Sequence, residues 1–487
     1  MNPAPADNAP VPHHIAGRRL AFGPVLPVHN PANGQILRWV HVAEGPQIVQ
    51  ALASARSAQP AWAALPPDAR VQVLARLQRR AEDDQDLLRT LLVQELGLTR
   101  PEAQAELQAG LAQLAAASAA PTWLEGPHQA HAGAGLEQWT QAQPLGVVVG
   151  VLPFCGPWSL LMGLAPWALA AGNAFIAKPS PHTPSLAVWL AEALLACGLP
   201  PGLFQVLQGE GETAQGLLHH PDVAGLSVVG RSSTARELHA GAAALAKPVQ
   251  ALGGAKNHLV LLPDADLAHA ADAIVQAAFG AAGQRCAAAS ALVLVGRAAE
   301  GLMPQLGERL RRLRVGNPAR ADSDMGPLIS GEARARVTAL IDSGAMDGAQ
   351  LLVDGRGLQV AGHLGGHYLG PTLFDQVQPW MQIYQQEAFG PLLVGLRVRS
   401  LDDALALIDG HPCARSASLF TRDAAAARRF TQAVQVGQVG VNVASPAPRA
   451  GTGAGGWKAS QLGGPPLGGP GQLRFYTRPQ AVQQCWA

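Results

Sequence analysis

Apolar positions along the chain change their period near residue 145. From 45 to 114 the spacing is helical: Ile48, Leu52 and Ala55, then Val71, Leu74, Leu77 and Ala81, then a run from Leu87 to Leu96. Ahead of it, Asn30-Pro31-Ala32-Asn33-Gly34 reads as a turn after a short strand. Residues 121–143, with Trp123 and Trp139, read as a weaker, loop-rich stretch. The run 146–152 is then short and β-branched, of the kind buried on both faces of a parallel sheet.

Strand and helix alternate from there. A helix over 158–171 ends at Gly172-Asn173, and strands are expected at 174–177, 204–207 and 226–229. The helices between them stop at Gly198-Leu199-Pro200-Pro201 and near 217–221, where His219-His220-Pro221 reads as a helix end. Repeated strand–helix units predict an α/β fold with a doubly wound parallel sheet. Ligands of such sheets bind at the carboxyl ends of the strands. Pro153-Phe154-Cys155, Lys178, the turn 209–211 and Gly230 all fall there. A second series is expected from near Val249, with strands at 258–262, 291–295 and 392–396, and it runs to about Gly451. The tail from Gly463 is rich in Gly and Pro, and residues 473–482 read as an extended edge strand. No internal repeat is evident.

Composition narrows the class. The 487 residues set a prior of about three domains. With 48% hydrophobic and 14% charged residues the chain is core-rich rather than disordered. Lys+Arg 35 against Asp+Glu 34 leaves a net charge of +1, so no overall field draws in nucleic acid or an anionic membrane. The most apolar stretch, 144–176, is broken by Pro153, Gly156, Pro157, Pro166 and Gly172, which argues for a buried core and against a membrane span. Residues 1–14 lack the order of a signal peptide and read as a disordered tail. Five cysteines, far apart and without CxxC spacing, suggest reduced thiols in a cytoplasm and neither disulfides nor a zinc site. The 15 histidines lack metal-binding spacing, so no metal is expected.

Cys286, in Phe279-Gly-Ala-Ala-Gly-Gln-Arg-Cys286, is the candidate nucleophile: small residues around it leave room, and Arg285 offers a charge that favours thiolate. Taken alone it reads more readily as a buried apolar cysteine, and the flanking segments reverse that. The flanking segments resemble the aldehyde dehydrogenase superfamily over nearly the whole chain. They are Phe175-Ile-Ala-Lys178-Pro-Ser180, Gly253-Gly254-Ala255-Lys256-Asn257-His258, Gly283-Gln-Arg-Cys286, Val315-Gly-Asn-Pro318, Asp324-Met-Gly-Pro327 and Glu387-Ala-Phe389-Gly-Pro391. Gly-Ala-Lys256-Asn-His258 with Pro-Asp-Ala265-Asp266, and Arg285 directly before Cys286, are similar to the CoA-acylating methylmalonate-semialdehyde dehydrogenase branch.

The resemblance implies that Cys286 attacks an aldehyde, that the thiohemiacetal passes hydride to NAD or NADP, and that a thioester remains. Most of the family hydrolyses it with a glutamate base. That position is Leu252 here, which points to CoA as acyl acceptor, as in the branch. The resemblance also implies cofactor contacts at Leu152, Phe154, Lys178, Gly230, Arg231, Gly253, Glu387 and Phe389, and a substrate carboxylate on Arg285. Several positions depart from the family. Cys155 replaces the asparagine of the oxyanion site and reads as a small residue in a weakened site rather than a redox partner or metal ligand. Pro181 stands for a ribose-binding glutamate. Arg231 stands for a serine, and either pairs with a phosphate, such as the 2′ phosphate of NADP, or blocks the pyrophosphate. The second arginine of a carboxylate clamp falls near Ala109, and Arg285 alone also reads as a structural ion-pair residue. The Trp457-Lys458-Ala459-Ser460 segment matches a loop near the family's substrate tunnel.

The implied architecture is a dinucleotide-binding domain (15–120 and 144–250), a catalytic domain (251–452) and a small β flap for oligomerisation (121–143 and 463–487). An edge strand left exposed invites pairing, so a homodimer or homotetramer is expected. Three functional readings follow: a dehydrogenase of a small-molecule aldehyde, a catalytically silent homologue with a scaffolding role, and a cofactor-independent thioesterase or acyl transferase using Cys286.

Overall fold

The β-branched run becomes the strand Val147–Val151, buried along its whole length near the middle of an eight-stranded sheet. The computed structural model describes residues 9–133, 136–446, 449–453 and 455–486. In that sheet Val147–Val151 runs parallel to Ala174–Lys178 and then Phe204–Val206 on one side, and to Val223–Val229 and then Val249–Leu252 on the other. The chain order therefore reverses beside Val147–Val151, which opens a crevice between Leu152–Cys155 and Gly230-Arg231. The four N-terminal helices, Gly45–Ala63, Pro67–Asp83, Gln85–Leu96 and Arg100–Ala117, pack into the same core.

A second, seven-stranded sheet is centred on Asn257–Leu261 and Ala289–Val295, flanked by Leu392–Val398 and Ser416–Phe420, all parallel. A third sheet has three antiparallel strands, Thr477–Cys485, Leu136–Pro144 and Glu125–Gly133. The α/β fold class is as expected, with two mainly parallel sheets.

Several boundaries move. The tail expected to reach residue 14 ends earlier, because His13–Ile15 is a buried strand pairing with Arg18–Leu20 and Phe204–Val206; residues 1–8 lie outside the described part. The loop-rich reading of 121–143 gives way to a short helix and a hairpin, whose polar and small residues are drawn into strands by the partner Thr477–Cys485. Leu473 to Phe475 end a helix, Gly469–Phe475, and the edge strand starts at Thr477. Val249–Leu252 closes the first sheet rather than opening the second, and Gln461–Leu462 adds an antiparallel edge beside it.

Candidate active site

The second sheet presents its strand amino ends to the pocket, so residues 254–257, 286–290, 387–392 and 415–416 fall in one row. Cys286 is half-exposed there and lines a pocket with Arg285, Asn257, Ser290, Glu387 and Phe389. Its loop arrives through a left-handed run: Ala281 at φ 54°, Ala282 at φ 51° and Gly283 at φ 70°. An alanine in that region costs about 1 kcal/mol, and persists where its surroundings dictate it. Here Glu102 Oε1 accepts the Ala281 N–H at 2.6 Å, and Gln284 Oε1 accepts the Ile329 N–H at 2.9 Å. A Cβ on Gly283 would come within 2.2 Å of Gly390 O, so only glycine fits. Asn257 fixes the other end, donating to Cys286 O at 3.0 Å and Ala288 O at 2.8 Å.

Glu387 Oε1 accepts the Ala255 N–H at 2.9 Å, and Oε2 lies where a Cβ on Gly254 would be, 2.4 Å away. Burial pushes the Glu387 carboxyl pKa up, against that hydrogen bond. Lys256 holds the same segment from behind: its buried Nζ donates to Ile383 O and Gln386 O, both at 2.9 Å. Desolvation lowers its pKa to about 7. Phe389, at φ 46°, meets the Phe154 ring edge-on at 5.8 Å.

Phe154 and Cys155 come from the first sheet. Burial, and then the neighbouring Cys286, push the Cys155 thiol pKa well up. Glu106 holds the turn, accepting from Ser159 N–H at 2.8 Å, Trp158 N–H at 3.2 Å and Ser159 Oγ–H at 3.0 Å. Further along the crevice, buried Lys178 donates from Nζ to Gly209 O at 2.8 Å and Pro179 O at 3.0 Å, and desolvation lowers its pKa to about 8. Leu152 and Gly253 are buried, their N–H groups spent on Lys178 O and Ser460 O at 3.0 Å each. Gly230 precedes the helix Ser232–Ala244, with exposed Arg231 at its N-cap. Arg285 turns its guanidinium onto Gln276 O at 2.7 Å and Ala277 O at 3.3 Å, carbonyls of the helix Leu267–Phe279.

The structure thus brings Cys286, Arg285, Glu387 and Phe389 together, with Phe154 against Phe389, while Lys178, Gly230 and Arg231 line the crevice. Among the described residues no group of three or more His, Cys, Asp or Glu side chains is disposed to hold a metal, and no helix is long and apolar enough to cross a membrane. Glu102, Glu106, Lys256 and Asn257 are supports that sequence reasoning did not single out for a role. Glu102 was visible in the capping-box spacing Thr99-Arg-Pro-Glu102; Glu106 had no local signal.

The model of the aldehyde dehydrogenase family matches residues 22–482. The chain belongs to the aldehyde dehydrogenase family. Malonate-semialdehyde dehydrogenase of Pseudomonas aeruginosa is 43% identical over 476 residues, 97% of this chain and 96% of that protein. The human mitochondrial acylating methylmalonate-semialdehyde/malonate-semialdehyde dehydrogenase is 35% identical over 95% of this chain and 86% of its own length. The crystal structure of methylmalonate-semialdehyde dehydrogenase from Oceanimonas doudoroffii superposes with a TM-score of 0.97 at 38% identity, covering 98% of this chain and 99% of that one. A Sinorhizobium meliloti relative solved with NAD has the same TM-score at 37% identity and 99% coverage of both chains. These relatives support the first of the three readings and neither of the others.

Proposed function

We propose that this family member oxidises a short semialdehyde with NAD and hands the acyl group to CoA, Cys286 being the nucleophile. The observation that carries the reading is Cys286 itself, half-exposed in the pocket shared with Glu387 and Phe389. The names of the relatives support the substrate class, and the acylating human relative supports the acceptor. Leu252, buried and apolar where the family's glutamate would stand, offers no carboxylate to activate water and favours a thiol.

The crevice suits a dinucleotide. Lys178 spends two of its three donors on carbonyls and keeps one for a ribose hydroxyl. Gly230 opens onto the N-terminus of the helix Ser232–Ala244, where free N–H groups favour phosphate. Glu387 and Phe389 would hold the nicotinamide ribose. NAD bound there supplies the hydride acceptor, so that the acyl group is left as a thioester on Cys286. Asn257 and the left-handed run 281–283 keep the sulfur in place as the C–S bond forms and breaks. Arg231 at the phosphate end makes NADP the cofactor to compare.

The three-stranded sheet, ending in the edge strand Thr477–Cys485, is proposed to pair with a second copy to give a dimer or dimer of dimers. This reading takes the protein to act in the cytoplasm, in keeping with five free cysteines. Ultracentrifugation showing only a 50.4 kDa species at micromolar concentration would overturn the assembly. Calorimetric titration with NAD and NADP, followed by turnover of malonate semialdehyde with and without CoA, tests the activity. Micromolar to sub-millimolar binding and CoA-dependent thioester formation are expected; no heat with either nucleotide from a folded protein overturns the reading.

A further inference from the structure

Arg415 stands directly before the strand Ser416–Phe420, in the same row of strand amino ends as Cys286. The register pairs Ala417 with His258, which sets Ser416 beside Asn257. Ser416 Oγ donates to Asn257 Oδ1 at 2.8 Å, and Asn257 in turn donates to Cys286 O at 3.0 Å. On the other side, the Ala414 N–H donates to Ser460 Oγ at 3.1 Å, and Ser460 Oγ donates to Gly254 O at 2.8 Å, next to Glu387. Arg415 is therefore pinned between the backbone under Cys286 and the backbone under Glu387. Against the larger effect of burial, its charge draws the pKa values of both Cys155 and Glu387 down.

The residue is only 7% exposed. Among the described residues its side chain has no hydrogen bond or ion pair, and its buried Nε is without a partner. Other buried cations here are satisfied: Arg70 donates to the carbonyls of Ala170, Ala63 and Leu65, and Lys178 and Lys256 each reach two. A buried guanidinium nitrogen left without a hydrogen bond is unfavourable, and in the row of strand ends that carries Asn257 and Cys286 a ligand of opposite sign would satisfy it. The other candidate donors near Cys286 are weak or engaged. Cys155 is a poor donor where the family has an amide, and the Arg285 guanidinium is turned onto helix carbonyls.

We propose that Arg415 binds the negative charge of the substrate beside Cys286: the charge that gathers on the aldehyde oxygen as Cys286 adds, or the carboxylate of a semialdehyde, which offers the same chemistry. The inference rests on the dehydrogenase reading for the substrate's identity but not for its first test. That test is the rate at which Cys286 is alkylated by iodoacetate relative to neutral iodoacetamide, followed by peptide mass. Arg415→Gln should lower that ratio at least about fivefold, as loss of a charge-assisted contact implies. A ratio unchanged within about twofold overturns the proposal whether or not the protein turns over any aldehyde. Absence of NAD binding and turnover in the unaltered protein would instead sink the proposed function, leaving the alkylation ratio to decide on Arg415.

Kinetics then separate the two sources of charge. A fall in kcat of about 10²–10³ with both propanal and malonate semialdehyde assigns the oxyanion. A raised KM for malonate semialdehyde alone assigns the carboxylate. Unchanged kinetics with both overturns the proposal. In the oxyanion case, adding Cys155→Asn to Arg415→Gln should recover part of the lost kcat. Arg415→Met should raise Tm, because it removes a buried unpaired charge; a lowered Tm would mark a structural residue and overturn the assignment.

Discussion

The two sheets contribute to the pocket in contrasting ways. On the second-sheet side, Asn257, Gln284, Lys256 and Glu387 each end on backbone partners, and the left-handed run at 281–283 is held on both flanks. On the first-sheet side stand the residues that differ from what the resemblance leads one to expect: Cys155 at the turn, Pro181 after Lys178, and Arg231 at the helix start. The contrast follows from what each side must supply. A nucleophile misplaced by about 1 Å can cost about 10²-fold, so its scaffold tolerates little change. Contacts that lend charge or a hydrogen bond can be replaced from another direction, as Arg415 does in the proposal above.

The contrast breaks first, and most severely, at the sulfur. Cys286→Ser should lower kcat/KM by about 10⁴ or more, while NAD binding by calorimetry stays within about twofold. If the substitution removes NAD binding as well, the two sides are not separable. Next comes the scaffold: Asn257→Ala deletes both bonds to the Cys286 loop and the acceptor of Ser416, and should lower kcat about 10²-fold with KM for NAD little changed. Smaller still, Lys178→Met should weaken NAD binding about tenfold, the worth of one charge-assisted hydrogen bond, with kcat at saturating NAD preserved. An equal loss from Lys178→Met and Asn257→Ala in kcat would erase the difference between the sides.

The last effect is a slope in stability and leaves the site itself aside. Lys256 is lowered to about 7 in the folded protein by desolvation, from 10.5. Below pH 7 both folded and unfolded states carry its proton, so it adds no slope. Between about pH 7 and 10.5 only the unfolded state keeps the proton, so resistance to urea should rise with pH in that window. Lys256→Met should flatten that contribution; a variant with the wild-type slope would show that Lys256 stays charged on its two carbonyls.

Much of the core was legible because it is written in local patterns. The strands at 147–151, 174–178 and 289–295 lie within about two residues of their expected positions, since β-branched runs bounded by Gly and Pro leave little choice. Cys286, Glu387 and Phe389 were legible through ordered motifs, and the fold brings them into one pocket.

What the amino-acid sequence determined by itself was the family, the two mainly parallel sheets and the loop that carries Cys286, all carried by short-range spacing and by motifs in a set order. Tertiary structure alone decided the rest. The hairpin Glu125–Gly133 and Leu136–Pro144 has no strand signal of its own, and exists because Leu136 pairs with Cys485 across the length of the chain. His13–Ile15 is a strand because Phe204–Val206 receives it, and Leu473 to Phe475 are helical despite an extended-looking pattern. Glu106 on the Trp158–Ser159 turn, and Arg415, whose buried Nε has no hydrogen-bond partner among the described residues, have meaning only once helices and strands far apart in sequence are packed. Periodicity reports which face of an element is buried, whereas the partner of a buried charge is set by which elements meet there.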